Sequence, residues 1–356
     1  MRTWSIVRRQ IGKFVPMNRP IDFRSDTVTR PTPGMLAAMQ NAPVGDDVFG
    51  EDPSINELET KTAAFFGFES GLFCPSGTMA NQIAIKCHTQ PGDEVICDVN
   101  AHIYQYEGGG IAFNSGASVK LIEGNRGRIT ADQVRSNIQP DDVHRARTTL
   151  VALENTANRG GGSCYDLQAI GEIRQVCNDH NLMLHLDGAR IWNAIVAKKE
   201  DPLTYSRLFH SASICFSKSL GCPVGSVLLG DRAFTKKARR IRKVFGGGMR
   251  QAGYLAAAGL YALTHHIERL QEDHTHAQML ADGIQEKSFV KLVLPVETNI
   301  LIFELNDGLS APDLVAQLKQ HQILAYAIAP NRVRLVTHLD VSRDNMEETL
   351  RVIKTL

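Results

Sequence analysis

Between residues 54 and 245 short apolar segments alternate with helical patterns, and no other feature of the chain constrains its fold as strongly. Strand-like segments fall at 71–75, 94–98, 119–122, 149–154, 182–186, 213–216 and 226–229. Helical patterns separate them, the clearest over 166–180. Strands that alternate with helices need crossover connections, so the chain is α/β with one mostly parallel sheet. Residues 53–57, Pro-Ser-Ile-Asn-Glu, read as a capping box in which Ser54 and Glu57 satisfy the first amides of a helix ending near Gly67. Beyond residue 247 the pattern changes to a long Ala/Leu-rich helix over 249–266, a second helix to about 287, and two apolar segments at 290–296 and 299–305. A helix from 311, a strand near 332–337 and a last helix from 342 complete a small α/β unit. Single cores stop growing near ~250–300 residues, so 356 residues suit a large domain at 21–247 and a small C-terminal domain at 248–356.

Residues 1–20 stand apart. They carry Arg2, Arg8, Arg9, Lys13 and Arg19, no acidic residue, and interleaved apolar side chains. That is the composition of a mitochondrial transit peptide, and equally of a basic leader with no address. The net charge of +1 provides no electrostatic footprint for nucleic acid. No apolar run is long enough to span a bilayer. None of the seven cysteines forms a Cys-x-x-Cys pair, and most lie in apolar segments, which argues for reduced, buried thiols in an intracellular protein and against a disulfide frame or metal site.

The chemistry concentrates between His185 and Lys218. One apolar segment ends at Asp187 and another runs into Ser217-Lys218. Open α/β sheets bind ligands at the carboxyl ends of their strands. A carboxylate and an amine placed there suit pyridoxal 5'-phosphate (PLP): Lys218 would bond its aldehyde and Asp187 would hold its protonated ring nitrogen. Taken singly, Asp187 serves equally as a helix cap and Lys218 as a solvated loop residue. Ser76-Gly77-Thr78 joins a strand to a helix, where free amides favour an anion, though an ordinary capped helix start has the same form. His102 follows a strand and could lie on a pyridine ring or cap a turn. Arg190 lies one helical turn beyond Asp187, and Arg334 is a charge inside an apolar strand, which calls for an anionic partner. A guanidinium suits a carboxylate because it can form two parallel hydrogen bonds. Lys243 and Arg250 flank a glycine-rich stretch and read equally as a solvated turn.

The sequence resembles the L-threonine aldolases, PLP enzymes of the aspartate aminotransferase-like fold type I. The carrying motifs are Asp22-Phe23-Arg24-Ser25-Asp26-Thr27, Gly45-Asp46-Asp47-Val48-Phe49-Gly50, Ser76-Gly77-Thr78, Leu153-Glu154-Asn155-Thr156, His185-Leu186-Asp187-Gly188-Ala189-Arg190, Ser217-Lys218, Gly246-Gly247-Gly248-Met249-Arg250 and Arg334-Leu335-Val336-Thr337-His338, in family order. The resemblance implies a seven-stranded sheet of that fold type and a role for each matching position. Lys218 would carry PLP and Asp187 would hold its ring nitrogen. Ser76, Gly77, Thr78 and Ser217 would hold the phosphate, and His102 would stack on the ring. Ser25, Arg190 and Arg334 would bind the substrate carboxylate. His144 would lie near the substrate hydroxyl, and Arg250 would reach a neighbouring subunit's site in a homodimer or homotetramer. Ala157 stands where many relatives carry histidine. The reaction implied is cleavage of a small β-hydroxy amino acid, threonine or allo-threonine, to glycine and an aldehyde. His102, His144 or a bound water would take the hydroxyl proton, and the sequence leaves the three open. Rival readings are a β-eliminating lyase on the same scaffold and a non-catalytic PLP-fold binding protein. A dinucleotide-binding protein is disfavoured because no Gly-x-Gly-x-x-Gly follows the first strand.

Overall fold

The computed structural model describes residues 19–356. The expected leader over 1–20 lies almost wholly outside the described residues. A two-residue strand, β1 (Ile21–Asp22), opens the described chain. The central sheet follows, built from β2 (Ser70–Cys74), β3 (Asp93–Asp98), β4 (Ser118–Ile122), β5 (Arg147–Glu154), β6 (Met183–Gly188), β7 (Ser211–Cys215) and β8 (Ser226–Gly230). Each expected segment recurs with its ends moved by at most two residues. Their spatial order is β2-β8-β7-β6-β5-β3-β4. Only β8 runs antiparallel to its neighbours. All residues of β3, β7 and β8 are buried, because helices cover both faces of the sheet. The parallel register brings Asp98, Glu154, Asp187 and Cys215 to one edge of the sheet, and reversed β8 brings its first residue, Ser226, there too.

The four-stranded sheet of the second unit has the order β12 (Tyr326–Ala329), β13 (Arg332–Val336), β10 (Ile300–Leu305), β9 (Val290–Val293). The sequence reading missed β12, and also β11 (Ile323–Leu324), which pairs in parallel with β1. Packing crosses the expected boundary at residue 247 in both directions. Phe23 is fully buried among Leu301, Phe303 and Leu335 of the second unit. The helix Gly253–His265, beyond that boundary, buries Ala256, Ala258 and Ala262 against the large core. That helix begins four residues later than expected, because Arg250 O accepts the amides of Asp47 and Ala252 and so turns the chain back first.

The expected Ser54–Glu57 capping box is replaced by a different cap. Helix Pro53–Phe66 starts with proline, which has no amide hydrogen to cap, and Asp52 is the N-cap. Its Oδ1 accepts the Ile55 amide at 3.1 Å and its Oδ2 accepts the Gly253 amide at 2.8 Å. Ser54 instead donates its hydroxyl to Pro43 O at 2.7 Å. A Cβ on Gly253 would stand 2.3 Å from Asp52 Oδ1, so glycine is what permits this approach. Asp52→Ala would strand two buried donors and should lower stability by about 3 kcal/mol. An unchanged urea midpoint would refute the cap.

Among the described residues no helix is long and apolar enough to cross a membrane. All seven cysteines are buried and free.

Candidate active site

Strand β6 delivers Asp187 to the carboxyl edge of the sheet, and adjacent β7 runs through Cys215 to Ser217 and Lys218. Asp187 Oδ1 accepts the Ala189 amide at 3.1 Å. Its Oδ2 is buried and accepts nothing from the described residues. A buried carboxylate oxygen without a donor is rare and costly, so this atom points to a donor from a ligand. Lys218 is half-buried, with its Nζ 3.7 Å from Cys215 Sγ. Thr29 Oγ1 holds its carbonyl at 2.9 Å. Among the described residues no carboxylate forms an ion pair with Nζ, which leaves the amine available.

Strand β2 leads into helix Gly77–His88 through the exposed Ser76. Ser76 Oγ caps the helix by accepting the Met79 amide at 3.1 Å. The amides of Gly77 and Thr78 precede the first intrahelical bonds and face outward from the positive end of the helix dipole. A Cβ on Gly77 would meet only Ser226 Oγ, at 3.5 Å, so the approach to this turn is open. Ser226 Oγ is buried and has no partner among the described residues. Ser217 Oγ lies 3.6 Å from Cys215 Sγ, at the end of the strand beside β8. These hydroxyls and amides fit a phosphate. Ser226 was not foreseen, since it reaches this edge only because β8 is reversed.

Arg190 is buried and forms a two-point pair with Asp26: Nε to Oδ2 and Nη2 to Oδ1, both 2.7 Å. Two of its three guanidinium nitrogens are thereby engaged, and Nη1 stands outside the pair. Asp26 itself was not singled out from the sequence. Arg334 on β13 donates from Nη1 to Asn158 Oδ1 at 2.7 Å and from Nη2 to Arg24 O at 3.0 Å, while its Nε is buried and unpartnered among the described residues. Burial, followed by the charge of Arg190, pushes the Arg334 guanidinium down to about 10. Among the described residues Arg334 has no carboxylate partner, which favours a ligand carboxylate. Ser25 Oγ accepts the Thr27 amide at 3.2 Å and holds the turn that carries Asp26. Ala157 is buried, and its neighbour Asn158 makes the contact with Arg334.

His102 opens a short helix, His102–Gln105, and its amide donates to Glu154 Oε2 at 2.9 Å. Its Nδ1 lies 2.9 Å from Glu107 Oε1. Burial opposes a charge on this ring, but Glu107, Asp187 and Glu154 together raise its pKa above the ordinary histidine value. Burial first, and then Asp187, the register partner on the neighbouring strand, push Glu154 up to about 7. One ligand-type atom from each of His102, Glu107 and Asp187 lies within 4.8 Å of the others.

His144, expected near the substrate hydroxyl, lies apart from this cluster, and so does Arg250, expected to reach a neighbouring subunit's site. His144 is exposed on the loop before β5 and bonds Asp142 Oδ1 at 2.7 Å. The eight residues of β5 separate it from Glu154 by about 25 Å. Arg250, given no local role by its sequence context, pairs with Asp46 Oδ2 at 2.9 Å while remaining half exposed. Both placements depend on loop packing, which apolar periodicity does not encode.

Comparison with known proteins matches residues 22–307 to the beta-eliminating lyase family model. The low-specificity L-threonine aldolase of Escherichia coli is 44% identical, over 92% of this chain and 96% of its own length. Low-specificity L-threonine aldolase 1 of Arabidopsis thaliana is 38% identical, over 93% of this chain and 95% of its own. Among solved structures, the threonine aldolase of Leishmania major superposes with a TM-score of 0.84 at 22% identity, covering 94% of this chain and 99% of that one. That last similarity is one of fold.

Proposed function

The chain belongs to the beta-eliminating lyase family, alongside low-specificity L-threonine aldolases, and from that premise we propose that it cleaves L-threonine and L-allo-threonine to glycine and acetaldehyde with PLP. One observation carries the proposal: the buried, unpartnered Asp187 Oδ2 ends the strand next to the one that presents Lys218. Lys218 Nζ would hold the cofactor covalently, and Asp187 Oδ2 would accept a hydrogen bond from its ring nitrogen. The Gly77 and Thr78 amides, with the Ser76, Ser217 and Ser226 hydroxyls, would hold its phosphate. When bound, PLP supplies an electron sink for the pair released as Cα–Cβ breaks.

The remaining steps belong to the chain. Arg190 Nη1 and Arg334 bind the substrate carboxylate, with Asp26 keeping the Arg190 plane fixed. His102 Nδ1 is engaged by Glu107, which leaves Nε2 as the ring atom that takes the β-hydroxyl proton. Glu154 holds the His102 backbone at the same strand edge. The β-hydroxyl proton departs to Nε2, Cβ leaves as the aldehyde when Cα–Cβ breaks, and return of a proton to Cα gives glycine.

A second reading, β-elimination, is favoured by the description of the matched family model. Product analysis with both threonine diastereomers separates the two. Glycine and acetaldehyde are expected, whereas 2-oxobutanoate and ammonia would establish the second reading.

The proposal includes a homodimer or homotetramer with its sites at the subunit interface. Phe49 and Tyr254 are large and exposed, and they flank segments joined by the Asp47 amide to Arg250 O bond. An apolar surface beside Arg250 suits a second copy of the chain. Sedimentation at assay concentration should give a dimer or larger. A fully active monomer would defeat this part.

A further inference from the structure

A buried line of polar side chains runs from His102 across the sheet to its opposite edge. Glu107 Oε1 lies 2.9 Å from His102 Nδ1 and accepts Asn81 Nδ2 at 3.0 Å. Glu107 Oε2 accepts Gln82 Nε2 at 2.6 Å. Asn81 Oδ1 lies 3.2 Å from His185 Nε2, and His185 Nδ1 lies 2.8 Å from Ser211 Oγ. Ser211 Oγ is in turn 2.8 Å from His88 Nε2. Asn81, Gln82, Glu107, His185 and Ser211 are all buried. His185 and Ser211 are register partners on β6 and β7. Asn81 and His88 stand two turns apart on helix Gly77–His88, on the face above them.

Chemistry assigns the hydrogens. Two amide groups donate to Glu107, so its carboxylate has no hydrogen to offer His102, and His102 Nδ1 must carry the proton. Asn81 donates through Nδ2, so its Oδ1 accepts, and His185 Nε2 must carry a proton. Neutral His185 then has a bare Nδ1, which accepts the Ser211 hydroxyl, and that hydroxyl accepts from His88 Nε2–H. Burial keeps both remote rings neutral, lowering His185 to about 4 and His88 to about 3. Every donor along the line therefore points toward Glu107. Asn81 is an amide, so the line orients groups and does not conduct a proton.

We propose that Asn81, His185 and Ser211 are positioning residues that brace Glu107 against His102, fixing the His102 proton on Nδ1 and leaving Nε2 as the nitrogen free of the brace. The catalytic consequence rests on the aldolase reading above, but the brace itself does not. The groups facing His102 are Glu107 from the following turn, Glu154 from β5, Asp187 from β6 and the Tyr106 ring at 5.6 Å. Of these, Glu107 alone bonds a ring nitrogen among the described residues.

The test uses the full chain labelled with ¹⁵N-histidine, without added cofactor, in long-range ¹H–¹⁵N spectra across pH. In the wild type, His102 should be the Nδ1–H tautomer with a midpoint above ~6.5, and His185 the Nε2–H tautomer, not titrating above pH 5. Glu107→Gln should lower the His102 midpoint by about one pH unit or more. Asn81→Leu should shift it the same way by less and turn His185 toward Nδ1–H. In the PLP-loaded enzyme, the acid limb of kcat/KM should move down with each midpoint. An unchanged His102 midpoint in both variants would overturn the proposal. If either variant fails to fold, a wild-type His185 found as Nδ1–H overturns it equally. Expected spectra from a wild type that produces no glycine would instead refute the aldolase reading and leave the brace standing.

Discussion

Lys218→Ala should leave no measurable turnover with either threonine diastereomer, and borohydride should no longer fix the cofactor aldehyde to the protein. The expectation starts from the strand order. Lys218 follows β7 by three residues, beside the strand whose last turn holds the unpartnered Asp187 Oδ2. Its amine has no carboxylate partner among the described residues and only a 3.7 Å contact with Cys215 Sγ. A covalent role removed by mutation has no substitute, since alanine supplies no nucleophile. The fold should not suffer: the tie to Thr29 runs through the Lys218 carbonyl, which alanine retains. The urea midpoint should correspond to a change of less than about 1 kcal/mol. Loss of activity with intact stability separates a chemical role from a structural one. Peptide mapping after borohydride treatment of the wild type provides the decisive control, because a label on any other lysine would sink the assignment.

Asp26→Ala should be the most destabilising single change at the site. Asp26 is fully buried and accepts four donors: Arg190 Nε and Nη2, Ser219 Oγ at 2.9 Å and Asn299 Nδ2 at 3.3 Å. These come from the end of β6, the loop after β7 and the start of the second unit's sheet, so one carboxylate ties three parts of the chain together. Removing it leaves Arg190 as an uncompensated buried charge, which costs about 3–5 kcal/mol. Burial alone would push the Asp26 carboxyl up, but the Arg190 guanidinium outweighs it and holds the carboxyl well below the usual range. A depressed folded-state pKa contributes stability that is complete above the unfolded value near ~3.9 and is lost as pH falls toward the folded one. The wild type should therefore lose this contribution only below about pH 4, while Asp26→Ala lacks it at every pH. Urea midpoints at about pH 7 and about pH 2 measure the difference. Equal midpoints for variant and wild type at pH 7 would show that the pair is dispensable.

Much of this molecule was legible in its residues. Hydrophobic periodicity is a local property, so alternating apolar segments located the seven strands of the central sheet within two residues at each end. A polar residue that ends an apolar run marks a strand terminus, which is why the sequence places Asp187 and Lys218 at the sheet edge. The departures share one cause. Asp26 lies 164 positions from Arg190, and Asn158 lies 176 from Arg334. Which buried charge meets which partner depends on strand register and crossover geometry, and no window of sequence contains both. The reversed direction of β8, which brings Ser226 beside Gly77, is equally non-local. His144 shows the converse: a matching motif suggested a role, yet its place before β5 puts it at the far end of the strand. The sequence by itself determined where the chain forms strands and which reactive groups end them, because burial and hydrogen bonding along one segment decide that. Only the tertiary structure decided how Asp26, Glu107 and Glu154 hold those groups, because buried polar side chains take whichever partners the packed sheet places within hydrogen-bond reach.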